Sequence, residues 1–175
     1  MLQRWLPNHP AVKRYYVLDR GDDEIQEVDW LVGACLLVRA AAILQVGLMD
    51  ESFFMYSEEM DWCRRFVAAG WKVVYYPAAR VVHHGGQSSD QDLFQRHIRF
   101  HHSKCLYFSK YHGRAFAQLL RAFILGNYLF QLSEETAKLL LVPRNRQSRL
   151  RRMSVLAKVV GWQALWVASW GRMSP

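Results

Sequence analysis

Phe53-Phe54-Met55-Tyr56-Ser57-Glu58-Glu59-Met60-Asp61-Trp62-Cys63-Arg64-Arg65 sets three carboxylates within four positions, directly behind an aromatic run. Ser57 suits the N-cap of a helix from Glu58 to Ala69, and Gly70 suits its close: a serine oxygen satisfies the first orphan amides, and glycine accepts the left-handed backbone that follows a last turn. Met60, Cys63, Phe66 and Val67 recur at helical spacing and are expected to form the buried face. Glu58 and Glu59 lie at the positive end of the helix dipole, where a carboxylate gains a few tenths to about 1 kcal/mol, so capping alone would account for them. Asp61, with Arg64 and Arg65 three and four positions on, reads equally as a surface ion-pair group.

Upstream, Leu31 to Val38 is a strand candidate interrupted by Gly33-Ala34, which bring backbone close to a neighbour. Ala40 to Val46 reads as a short helix with Gly47 as its C-terminal stop. Downstream, Lys72 to Tyr76 is β-branched and aromatic and ends at Pro77, which predicts a strand. Arg80 to His83 is a further extended piece, leading into His83-His84-Gly85-Gly86. Residues 1–27 are polar and turn-rich and read as loop. From Asp92 the pattern turns helical, over Asp92 to His112, Arg114 to Val142 and Ser148 to Trp170. The expected class is therefore α/β, a few strands among helices, followed by an all-helical tail.

The chain is long enough for one domain with a real core, and half of it is apolar, which excludes a disordered segment. Its net charge of +8 is unevenly spread, with Arg144, Arg146, Arg149, Arg151 and Arg152 in one short stretch. Such a cluster suits anionic lipid headgroups or nucleic acid, or is simply a solvated loop. Cys35, Cys63 and Cys105 are far apart without a CxxC, so no disulfide framework follows and a cytoplasmic setting is expected. No signal-peptide core is read at the N-terminus. The best spanning candidate, Ala115 to Leu132, is broken by Gln118, Arg121, Asn127 and Gln131.

Three ordered blocks carry a resemblance: Trp30 to Arg39 with Gly33-Ala34, the acidic helix start at Glu58-Glu59-Met60-Asp61, and Gly70-Trp71-Lys72-Val73-Val74-Tyr75-Tyr76-Pro77 running on to His83-His84-Gly85-Gly86. In this order they resemble the acceptor-side half of an inverting family 2 glycosyltransferase of the bacterial rhamnosyltransferase-like kind, over roughly residues 28–112. The resemblance implies a partial GT-A-like nucleotide-diphospho-sugar transferase fold. It divides the chain into an N-terminal loop segment (1–27), the C-terminal half of a catalytic domain (28–112) and a helical tail (113–175).

The resemblance also implies roles. In that family an acidic residue at this helix start is the general base, taking the acceptor hydroxyl's proton as its oxygen attacks the anomeric carbon of a nucleotide-activated sugar. Glu59 falls on that position, where Asp is commoner, so its arm is one methylene longer; Asp61 is the second candidate and Glu58 the third. Trp30, Gly33, Ala34 and Arg65 are the implied substrate-binding residues, with the Phe53–Tyr56 run offering aromatic surface for a sugar face. His83, ahead of His84, is the implied metal ligand, helping to hold Mn²⁺ or Mg²⁺. Two adjacent histidines in extended chain face opposite ways, so only one of them meets a site. Gly85-Gly86 with Ser88-Ser89 would form the loop that covers the donor. Cys63 reads as a small core residue rather than a nucleophile.

Complete members begin with a nucleotide-binding half, with βα units and an Asp-x-Asp motif that supplies the main metal carboxylates. Neither that half nor its motif is read in this chain; the expectation is a glycosyltransferase part that is inactive alone, its cation completed by residues missing from it. The implied partners are a nucleotide-sugar donor and a glycan or lipid-linked acceptor, with an anionic membrane surface on the inner face of the cell membrane as a further expected contact. His97, His101 and His102 are expected to be ordinary helix-surface histidines. Val155, Val159, Trp162, Trp166 and Trp170 fall near one face of the last helix, which either lies in a bilayer interface or packs on the core. The rival reading is a non-catalytic, membrane-associated or partner-binding remnant. A nucleic-acid-binding module is set aside, because the arginines sit in one linker and no RNA- or DNA-binding motif occurs.

Overall fold

A computed structural model describes residues 8–16, 21–84, 92–141 and 145–169. The described elements run α1 (Pro10–Tyr16), β1 (Gln26–Glu27), α2 (Ala40–Val46), α3 (Glu58–Ala68), β2 (Val74–Tyr75), α4 (Leu93–His112), α5 (Arg114–Leu141) and α6 (Arg146–Ser169). The chain packs as two compact units. The first holds the described residues up to Leu48 together with Trp62–His83; the second holds Met49–Asp61, His84 and the described residues beyond it.

In the first unit a two-stranded antiparallel sheet pairs Gln26 with Tyr75 and Glu27 with Val74. It is extended by the Val28 amide donating to the Val73 carbonyl at 2.9 Å. The expected strand over residues 72–76 is thus real but short, and its partner lies in a segment expected to be loop, which also carries α1. The strand expected over Leu31 to Val38 does not form. Gly33 and Ala34 make a turn, no neighbouring strand among the described residues offers ladder partners, and Leu37 is fully exposed at 101%. Residues 80–83 are likewise irregular and exposed.

The core of this unit is Ala42, Trp62 and Phe66, with Val38, Ile43, Val46 and Trp71 packed against it. α2 ends at Gly47 with φ 86°, its amide donating to the Ile43 carbonyl. Gly70 closes α3 at φ 87°, a conformation that costs a side chain but not glycine. The buried face of α3 is rotated from the expected one. Asp61, Trp62, Cys63 and Phe66 are buried while Val67 is 47% exposed. The Trp62 indole N–H donates to the Gly47 carbonyl at 2.9 Å, which holds that large ring inward.

In the second unit α4, α5 and α6 pack on one another around Cys105, Ile124, Tyr128, Leu156 and Val159. Asp92 caps α4, its Oδ1 accepting from the amides of Phe94 and Gln95. On α5 the buried residues Ala117, Arg121, Ile124, Tyr128 and Glu135 follow helical spacing. The opposite side leaves Phe116, Leu119, Phe123 and Phe130 exposed, so this helix is apolar on both sides.

The tail helix decides between its two expected readings within this unit. Leu156, Val159 and Gln163 are buried, Val155 and Trp166 pack on the core, and Trp166 lies under the Arg121 guanidinium at 3.8 Å. The Val155–Val159–Trp166 face therefore covers the core, and Trp170 lies outside the described residues. The basic stretch is not a loop. From Arg146 onward it is the first turns of α6, where Arg149 and Arg152 pair with the buried Glu135 at 3.3 Å each; Arg144 lies outside the described residues. Among the described residues no helix is long and apolar enough to cross a membrane.

Candidate active site

α3 is entered through two consecutive residues with positive φ, Tyr56 at 69° and Ser57 at 67°. Left-handed backbone costs a non-glycine residue about 1–2 kcal/mol, and such residues persist only where their surroundings over-determine them. Here they do. The Ser103 hydroxyl donates to the Met55 carbonyl at 2.6 Å, and Tyr56 packs edge-on against Phe100 at 5.5 Å. Phe53 is buried beneath the Lys110 ammonium, and Phe54 is exposed with the Arg99 guanidinium over its ring. The αL pair turns the chain so that Glu58 and Glu59 open the helix, and the amide of Asp61 donates to the Ser57 carbonyl at 2.9 Å.

The three carboxylates have separate environments. Glu58 and Glu59 are half-buried, and each has a buried Oε2 without a hydrogen-bond partner among the described residues. Burial pushes the Glu58 carboxyl above its ordinary range, and the neighbouring Glu59 charge pushes the same way. A buried carboxylate oxygen lacking a donor is costly, and that cost is what a bound hydroxyl would relieve.

Asp61 is different. It is 0% exposed, and its Oδ1 accepts from the Tyr111 hydroxyl and from Lys110 Nζ, both at 2.7 Å. The surface position weighed for Asp61 is not what is found: the aspartate is buried and accepts from two residues of α4. The same Lys110 reaches Asp50 Oδ2 at 2.6 Å. Lys110 and Ser52 hold the Asp50 carboxyl well below the usual carboxylate range. Burial works against the Lys110 charge, but the hydrogen bonds it donates to Asp50 and Asp61 outweigh it and raise its pKa. Burial and then Asp61 push the Tyr111 phenol up to about 12, so it remains a donor at any working pH. Asp50, Lys110 and Tyr111 were not singled out from the sequence, because Lys110 and Tyr111 reach Asp61 from far along the chain and Asp50 joins the group only through Lys110.

The remaining candidates are placed as follows. Arg65 belongs to the first unit and donates to the carbonyls of Val46 and Leu48 at 3.0 and 2.8 Å, so its guanidinium ties α2 to α3. Trp30, half-buried, packs tilted against Tyr15 at 6.5 Å; Gly33 and Ala34 form an exposed turn. His83, in the first unit, and His84, in the second, are both exposed. Among the described residues no group of three or more His, Cys, Asp or Glu could hold a metal ion, so His83 and His84 do not make a cation site by themselves. An Asp-x-Asp triplet does occur, at Asp90-Gln91-Asp92, which corrects the reading that none exists. Asp92 is the α4 cap, and Asp90 and Gln91 lie outside the described residues, as do Gly85, Gly86, Ser88 and Ser89.

His97 and His101 are not surface histidines. His97 Nδ1 and His101 Nε2 both hydrogen-bond the Tyr128 hydroxyl, at 2.7 and 2.8 Å, inside the helical unit.

Comparison with known proteins identifies the family. The chain matches glycosyl transferase family group 2 over residues 12–170, on both sides of the stretch that carries the sequence resemblance. It is 33% identical over 150 residues to the N-acetylglucosaminyl-diphospho-decaprenol L-rhamnosyltransferase of Mycobacterium tuberculosis, covering 86% of this chain and 47% of that protein. It is 34% identical over 74 residues to the rhamnosyltransferase WbbL of Escherichia coli K12, covering 42% of this chain and 28% of the relative. The low-salt glycan biosynthesis hexosyltransferase Agl10 of Haloferax volcanii is 28% identical over 74 residues, 42% of this chain and 24% of that protein. The chain spans about half the length, or less, of these curated relatives. No solved structure matches it. With three carboxylates at one helix start and a family match over nearly all its length, the chain belongs to glycosyl transferase family group 2 and is of the rhamnosyltransferase-like kind.

Proposed function

We propose that this chain supplies the acceptor-side part of an inverting glycosyltransferase, moving a hexosyl group, rhamnosyl first among them, from a nucleotide sugar to a glycan or lipid-linked acceptor. Glu59 is the general base. Its carboxylate accepts the proton of the acceptor hydroxyl as that oxygen bonds to the anomeric carbon, the nucleotide diphosphate leaves from the opposite face, and the configuration inverts. The observation that carries the reading is the pair of unpartnered, buried Oε2 atoms on Glu58 and Glu59, at a helix entered through two strained residues. Because Asp61 already accepts from Lys110 and Tyr111, it supports that turn instead of taking the proton.

Trp30, Gly33 and Ala34 remain the proposed sugar-binding residues. The exposed turn at Gly33-Ala34 and the half-buried Trp30 support that reading, whereas the bonds of Arg65 to two carbonyls fit a structural post better than a substrate contact. A divalent cation, Mn²⁺ or Mg²⁺, would neutralise charge on the leaving diphosphate. His83 or His84 would contribute one imidazole, with the carboxylates supplied from beyond the described residues. The nucleotide-binding part likewise comes from outside this chain, which should not turn over sugar nucleotide alone. We place the protein in the cytoplasm, peripheral on the inner face of the membrane. Since the Val155–Trp166 side of α6 covers the core, the exposed Phe116, Leu119, Phe123 and Phe130 of α5 are the side chains offered to the bilayer.

The test is a chimera in which this chain replaces the matching part of the mycobacterial relative. Given nucleotide-activated rhamnose and the acceptor in that relative's name, it should form a glycoside with inverted configuration, while this chain alone forms none. A chimera that folds but transfers no sugar, or a retained configuration, contradicts the proposal.

A further inference from the structure

We propose that Lys110 and Tyr111 are positioning residues for the carboxylate pair: by holding Asp61 inward, they set the rotation of the helical turn that presents Glu58 and Glu59. This rests on the assignment of Glu59 as base and goes beyond it in naming what aims that base.

The argument starts from helical geometry. Each residue turns an α-helix by about 100°, so Asp61 and Glu59, two positions apart, point about 160° away from one another. A side chain fixed at Asp61 therefore fixes which way Glu59 faces. Asp61 is fixed by two donors at 2.7 Å, from adjacent residues in the last turn of α4, and is wholly buried. The same ammonium is bonded to Asp50, whose carboxylate accepts from the Ser52 amide at 3.0 Å and whose carbonyl accepts from the Phe53 amide at 3.1 Å. One lysine thus joins the turn that begins the loop to the helical turn that ends it.

Between those anchors lie Tyr56 and Ser57, whose left-handed backbone must be held from outside. α4 also supplies the middle supports, Phe100 against Tyr56 and Ser103 on the Met55 carbonyl. Phe100, Ser103, Lys110 and Tyr111 therefore hold the whole approach to the carboxylates from one helix. Removing the ammonium would leave Asp50 and Asp61 as two close carboxylates without their shared cation, and the turn would rotate to bring Asp61 to water.

The experiment uses the chimera and reads kcat and donor KM separately. Lys110→Met should lower kcat at least tenfold with KM within twofold, and Lys110→Arg, which can still reach both carboxylates, should recover most of the loss. The double variant Lys110→Met/Asp61→Asn removes the unpaired buried charge, so it should fold with unchanged circular dichroism and remain slow. If both that double variant and Lys110→Met keep kcat within twofold while Glu59→Gln is inactive, the positioning role is overturned and the base assignment stands. If Glu59→Gln keeps full turnover, the base assignment fails and takes the positioning role with it.

Discussion

Lowering the pH from 7.5 to 5 should cost this protein about 2 kcal/mol of stability through His101 alone. Protonated His101 carries an N–H on both ring nitrogens. Nε2 bonds the Tyr128 hydroxyl, while Nδ1 is buried and has no hydrogen-bond partner among the described residues. Whichever way the Tyr128 proton points, charging the ring leaves a buried donor unmet at Nδ1. Burial, with the neighbouring charges of His97 and Lys104, lowers the His101 pKa from 6.5 to about 4. A folded pKa below the unfolded one means that the unfolded chain binds the extra proton first. The contribution is therefore complete above about pH 6.5 and is lost as the pH falls through the folded value. At pH 5 linkage between those two values gives about 2 kcal/mol, on the scale of ~1.4 kcal/mol per pKa unit. His97 is shifted the same way by burial, then by Arg96. The raised pKa of Glu58 works in the opposite direction, and the lowered pKa of Asp50 keeps its contribution throughout this window. The assay is urea unfolding followed by tryptophan fluorescence at both pH values, for the natural chain and for His101→Leu. The variant should lose about 1 kcal/mol at pH 7.5 for its missing hydrogen bond. Its further loss on going to pH 5 should be smaller than the natural chain's by about 2 kcal/mol. An equal loss in both proteins would refute the reasoning.

Two further outcomes follow from the same packing. Of the three cysteines only Cys35 is exposed; Cys63 and Cys105 are buried, and burial pushes the Cys105 thiol up to about 11. A disulfide reagent at pH 8 should therefore label one thiol rapidly in the folded chain and all three in urea; fast labelling of a second in the folded chain would contradict the core described. Flotation with anionic liposomes should be lost in the double variant Leu119→Glu/Phe123→Glu and retained in Trp162→Ala, which removes an α6 aromatic. The reverse pattern would return the membrane contact to α6.

The sequence foretold those features that local chemistry decides. Glycine stops at Gly47 and Gly70 hold positive φ, Asp92 begins the long helices, and Ala40–Val46 has the expected bounds, because each depends on a few neighbouring residues. The strand over Leu31 to Val38 failed because an apolar run needs a partner strand, and pairing is not a local property. The contacts of Asp61 with α4 were hidden for the same reason. The arginines three and four positions on are the partners that helical spacing offers, whereas Lys110 and Tyr111, which bond Asp61, come from another helix. His97 and His101 share a face as their spacing requires, but Tyr128, which makes that face polar and buried, belongs to α5. Gln163 sits at 0% exposure on an otherwise apolar side of α6, and helical periodicity offered no sign that an amide would be carried inward.

The most direct test of the account is Glu59→Gln in the chimera. The substitution keeps size and hydrogen bonding but removes the proton acceptor. Turnover should fall a hundredfold or more, the scale of a lost general base, while donor affinity stays within about twofold. Unchanged turnover would remove Glu59 from the reaction, and with it the mechanism proposed for this chain.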